Sequence, residues 1–155
     1  MIFITMAIDP DKLFGLFGNS GDSSGKFDKK GYDYKRPDTL PKIDEKDPKY
    51  FLGMFYKLIM NHLNYSPELI EVFKKALPEL NTDEIATAGE YMVYTRAYEH
   101  LQRFDKTDPY HLRALVDEKD YELEVALKMS IKFFEGEEEY ERCAYIKEVL
   151  DLLLK

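Results

Sequence analysis

Three histidines and one cysteine carry most of the side-chain chemistry this sequence could do. His62, His100 and His111 lie far apart, and none stands in a Glu-x-x-His or His-x-x-x-His spacing. A di-iron helical bundle needs such pairs projecting inward from several helices, so no metal is expected. Cys143 falls on the apolar stripe of an acidic segment, without the base and electropositive surroundings that make a thiolate nucleophile. It reads as a structural, core-type cysteine. Gly18, Gly21 and Gly25 precede Lys26, but no Gly-Lys-Ser/Thr follows and no strand precedes them, so they do not form a phosphate loop. The residue chemistry points away from an enzyme, and no cofactor is expected.

Two further groupings could act through contact. Tyr91, Tyr94 and Tyr98, three and four residues apart, form a stripe on a helix. Such a stripe either offers stacking faces to a partner or lines the margin of a core. Glu135, Glu137, Glu138, Glu139 and Glu141 form an acidic cluster of the kind that favours a helix N-terminus.

Charge narrows the possible partners. The 155 residues carry 22 Lys+Arg against 30 Asp+Glu, a net charge of −8 that opposes broad binding to nucleic acid. The balance is uneven. Residues 26–49 hold eight basic and six acidic side chains, whereas residues 50–155 hold thirteen and twenty-one. Lys29, Lys30, Lys35 and Arg36 would be the grip of an alternative, nucleic-acid accessory role, beside Tyr32 and Tyr34. One cysteine excludes a disulfide framework, and no apolar run approaches a membrane span. No membrane partner is therefore expected, and the expected location is the cytoplasm, or a virion if the chain is viral.

The elements that would position these residues divide at about residue 46. Residues 1–46 read as a flexible arm. A nearly apolar start, too short and too poor in preceding basic residues for a signal peptide, leads into Leu13, Phe14, Leu16 and Phe17. A Gly/Ser-rich stretch over 18–25 and Pro37, Pro41 and Pro48 then punctuate the chain. The two apolar pairs on this tether form a candidate docking segment for another protein's groove. Leu16-Phe17 is similar to the leucine–phenylalanine peptides that bind bacterial sliding clamps, without their usual glutamine.

Residues 47–155 read as an all-α bundle of five or six helices. Asp47-Pro48 and Ser66-Pro67-Glu68 are both start signals, which predicts two helices, one ending near Asn64 and one closed by Pro78. Asn81 with Glu84 predicts a long third helix to about Phe104, and Asp108-Pro109 a short fourth. Over 123–133 the apolar residues alternate, a strand signature, but the intervening Glu122, Glu124, Ala126, Lys128 and Lys132 favour a helix apolar on most sides. Beyond Gly136, the residues Tyr140, Cys143, Ile146, Leu150 and Leu153 form one stripe.

Tyr140-Glu141, Cys143-Ala144, Ile146-Lys147-Glu148, Leu150 and Leu153 together resemble the second helix of the UVR-type helical hairpin of the excision-repair proteins UvrB and UvrC. Cys143 stands where that pattern has an alanine, and Lys147 where it has an arginine. The resemblance spans about residues 122–154. It implies an antiparallel hairpin turning at Gly136 that pairs with another hairpin, with Tyr140, Ile146, Leu150 and Leu153 as contact residues. The combined expectation is a non-enzymatic adaptor or assembly protein, cellular or viral, whose partner is another protein or a second copy.

Overall fold

Asp47 sets the first helix. Its Oδ1 accepts the Lys49 N–H at 2.9 Å, and Pro48, which has no amide hydrogen to satisfy, takes the first helical position. The computed structural model describes residues 42–155, which form one compact unit. Five helices follow in order: α1 (Pro48–Ala76), α2 (Thr82–Leu101), α3 (Pro109–Asp117), α4 (Tyr121–Gly136) and α5 (Tyr140–Leu154). There is no strand among the described residues, and the class is all-α. None of these helices is long and apolar enough to cross a membrane. The docking segment Leu13, Phe14, Leu16 and Phe17 and the basic residues Lys29, Lys30, Lys35 and Arg36 lie outside the described residues.

The core gathers the first half of α1 (Phe51, Leu52, Phe55, Ile59) and the second half of α2 (Tyr94, Ala97, Leu101). Ala114 and Leu115 of α3 close it, with α4 and α5 packed alongside. The 29-residue α1 corrects the expectation of two helices, because Pro67 lies inside it. A proline there removes one backbone hydrogen bond and crowds the preceding turn, at a cost of roughly 3 kcal/mol. Leu63 and Ile70, on either side of Pro67, are half-buried and share a groove with α2. We attribute the continuity of α1 to this packing on α2, which overrides the local start signal.

The alternating segment is α4. Leu123, Ala126, Leu127, Ser130 and Phe134 are buried at helical spacing, while Val125, Met129, Ile131 and Phe133 are half-buried. A helix covered on so many sides sits between neighbours, and α4 packs against both α1 and α5. Ser130, the polar residue on its buried face, donates its hydroxyl to the Ala126 carbonyl at 2.7 Å.

Three residues join α4 to α5, and they turn where no glycine stands. Glu138 has a φ of 58°, in the left-handed region. The Glu138 N–H reaches the Glu135 carbonyl at 3.1 Å, and the Glu139 N–H reaches that of Phe134 at 2.9 Å. This pair of bonds is a Schellman cap with glutamate at the position glycine usually fills. Gly136, expected to be the turn residue, is instead the last residue of α4.

Candidate protein-binding surface

The aromatic stripe on α2 is mostly interior. Tyr94 is buried, meets the edge of Phe134 at 6.4 Å and the edge of His62 at 6.0 Å, and burial pushes its hydroxyl up to about 12. Tyr98 meets Phe134 and Tyr145 edge-on, and the Arg142 guanidinium lies 5.1 Å from the Tyr98 and Phe134 rings. Only Tyr91 stays exposed, and its hydroxyl donates to Glu139 Oε1 at 3.0 Å. The stripe therefore fastens α2 to α4 and α5, and one of its three members faces outward.

The titratable candidates take structural positions as well. His111 Nδ1 accepts the Asp105 N–H at 2.9 Å, and its ring packs between Phe51 and Phe104. Asp105 in turn accepts from the Thr107 N–H at 2.8 Å and hydroxyl at 2.6 Å, which holds its carboxyl below the usual range. His100 is half-buried with an unpartnered Nδ1, and burial lowers its pKa, helped by Arg103 and Arg96. Cys143 is buried with its Sγ 3.6 Å from the Ile131 carbonyl, and burial raises its thiol pKa, the direction opposite to activation. His62 lines an open groove, with Nε2 4.0 Å from Glu90 Oε1. Among the described residues no group of three or more His, Cys, Asp or Glu side chains could hold a metal.

The contact residues expected on α5 divide. Ile146, Leu150 and Leu153 lie in the chain's own core, at 0 %, 9 % and 3 % exposure, so the stripe offered as a partner surface is covered by this chain. The reason is that α5 turns the stripe onto α4 and the core. Tyr140 leaves it and is 65 % exposed. The outward face of α5 then carries Tyr140, Ala144, Lys147, Glu148, Asp151 and Leu154.

Large apolar side chains do reach the surface elsewhere. Beyond Ile59, α1 buries no side chain fully, and α2 buries only Thr82 before Tyr94. These two outer segments pack on one another and leave Tyr65, Leu69 and Val72 exposed on α1, with Ile85 and Met92 exposed on α2. A signal for this stands in the residue spacing. Ile85, Ala88 and Met92 form one helical stripe, and Tyr94, Ala97 and Leu101 form another on the far side of the same helix. Only the second can face the core.

Two open grooves flank the outer part of α2. One, about 460 Å³, lies against α1 and mixes His62 and Lys74 with Glu71 and Glu90. The other, about 750 Å³, lies between α2 and the end of α4. Its apolar surface is Ala88, Tyr91, Met92 and Phe133, and its charged residues are Asp83, Glu84, Glu90 and Glu137. Comparison of the chain with protein-family models, with curated proteins and with solved structures returns no match.

Proposed function

We propose that this protein is a non-enzymatic adaptor or assembly component that works by protein–protein contact. The observation that carries the reading is the outer half of the α1–α2 pair, where Tyr65, Leu69, Val72, Ile85 and Met92 are 41–65 % exposed. Exposed apolar side chains that recur on one helical face, as Tyr65, Leu69 and Val72 do on α1 and Ile85 and Met92 on α2, are characteristic of contact sites. The structural roles of His111 and Cys143 support the same class, since they occupy in packing the groups best suited to catalysis.

Two segments would add further contacts. Leu13, Phe14, Leu16 and Phe17 form a compact apolar sequence suited to a groove. The UVR-type resemblance of residues 122–154 supports pairing through the outward face of α5, because its apolar stripe is internal.

The test is affinity capture with the full chain, followed by sedimentation of the purified captured protein with it. A complex of fixed stoichiometry is expected, weakened by Leu69→Lys with Val72→Lys or by deletion of residues 1–25. A chain that forms no stoichiometric complex, with another protein or with itself, overturns the reading.

A further inference from the structure

The groove between α2 and the end of α4 pairs apolar side chains with charge of one sign. Asp83, Glu84, Glu90 and Glu137 are its charged residues, and among the described residues no lysine or arginine lines it. The neighbouring groove against α1, which includes Lys74, lacks this character. The lining positions Asn81, Glu84, Ala88 and Tyr91 recur at helical spacing along one side of α2. From the Asn81 cap to Tyr91 is ten residue steps, which at 1.5 Å each make the trough about 15 Å long, close to three turns of a helix laid alongside.

Part of the trough is already fixed. The Tyr91 hydroxyl is held by Glu139 at 3.0 Å, and the Tyr91 and Phe133 rings pack at 6.2 Å. Side chains held before binding lose less freedom on binding. Met92, 65 % exposed, supplies an unbranched, adaptable apolar contact.

Resting on the adaptor reading above, we propose that this groove receives an amphipathic helix from a partner protein, one that carries lysine or arginine beside its apolar face. Charge complementarity selects this occupant. A second copy of the chain would bring the same carboxylates to the same rim, and like charges face to face disfavour that pairing. A basic amphipathic helix instead places its apolar stripe on Ala88, Met92 and Phe133 and its cations among the four carboxylates.

The test uses the full chain and two labelled helical peptides that share one apolar face, one flanked by lysines and the other by glutamates. Fluorescence anisotropy is expected to show binding of the lysine peptide, weakening as salt rises, and none of the glutamate peptide. Met92→Lys, and separately Glu84→Lys with Glu137→Lys, should each weaken binding by at least about tenfold, while Val116→Lys, at an exposed position on α3, leaves it unchanged. All these side chains except Glu84 and Glu137 carry no charge, and circular dichroism verifies that each variant is folded. Equal binding of the two peptides, binding of neither, or an unchanged affinity in Met92→Lys overturns the proposal. So does a dimer of the chain alone that Met92→Lys dissociates, since a second copy then covers the groove. The two readings fail separately: a captured protein that forms a stoichiometric complex but is not displaced by the lysine peptide leaves the adaptor and removes this site.

Discussion

The Tyr94 and Phe133 rings are stacked, with centroids 4.2 Å apart and planes inclined by 7°. The contact ties the inward stripe of α2 to a residue that the alternating pattern of α4 would place on a strand face. Removing the Tyr94 ring should cost about 3–5 kcal/mol, as for other buried aromatics cut to alanine. Tyr94→Phe keeps the stack and should lie within about 1 kcal/mol of the natural chain. Urea unfolding of both variants checks this; similar losses in the two would mean that the ring contact is not what stabilises the site.

The helical register of α4 makes its own prediction. Ala126 is fully buried, whereas on a strand it would fall on the polar side, opposite Val125 and Leu127. Ala126→Lys should therefore prevent folding, and Lys128→Gln, on the exposed side, should change stability by less than about 0.5 kcal/mol. Thermal melts followed by circular dichroism decide it. A stable Ala126→Lys protein would remove the helix from the core as described.

The turn between α4 and α5 should respond to glycine in a defined order. Glu138 sits at a φ of 58°, which glycine adopts without strain, so Glu138→Gly is expected to stabilise by up to about 1 kcal/mol. Gly136 has an ordinary helical backbone and open space at its Cβ position, so Gly136→Ala should stabilise by about 0.5–1 kcal/mol. A loss of stability in Gly136→Ala would place the left-handed residue at 136 instead.

Tyr145 closes the end of α2. Its hydroxyl donates toward the carbonyls of Leu101 at 3.1 Å and Phe104 at 2.6 Å. Tyr145→Phe should cost about 0.5–1.5 kcal/mol near neutral pH. Burial pushes this hydroxyl up to about 12, so above pH 10 the unfolded chain loses the proton before the folded one does. Stability then falls as pH rises from 10 toward 12, and the phenylalanine variant should show a shallower fall. Chemical denaturation at successive pH values would show an unchanged slope if the hydroxyl were solvated.

His100 gives the opposite limb. Its folded pKa lies below the ordinary value of 6.5, because burial and the nearby Arg103 and Arg96 disfavour the imidazolium. The unfolded chain binds the proton first as pH falls through 6.5, so stability decreases on acidification below that point. His100→Gln should flatten the pH dependence between pH 5 and 7. An unaltered profile in that range would assign it to other groups.

Much of the helical architecture is legible in the sequence. The caps at Asp47, Asn81 and Asp108 work locally, through side-chain oxygens that accept nearby backbone amides, and each starts a helix where expected. The α4 segment was ambiguous because period two and good helix formers compete, and only neighbours on several sides resolved it. Pro67 shows the limit of local signals. Its start pattern matches that of Pro48, but partly buried neighbours packed on α2 carry the helix through.

Composition and spacing by themselves determined the all-α class, the acidic charge and the existence of an apolar stripe along α5, because those depend on helical period and residue chemistry. Which apolar residues remain uncovered depended on tertiary structure. Ile146 and Leu150 have the spacing of a contact surface, as do Ile85 and Met92, yet the first pair is inside and the second outside. Spacing records which residues share a face of one helix. Whether that face is filled depends on how many neighbours arrive, and α5 receives α4 and the core while the outer half of α2 receives only the end of α1 and the tip of α4. The acidic groove at that tip is built from residues about fifty positions apart in the chain, Glu84 and Glu137 among them, and only the folded packing of α2 beside α4 brings them to one rim.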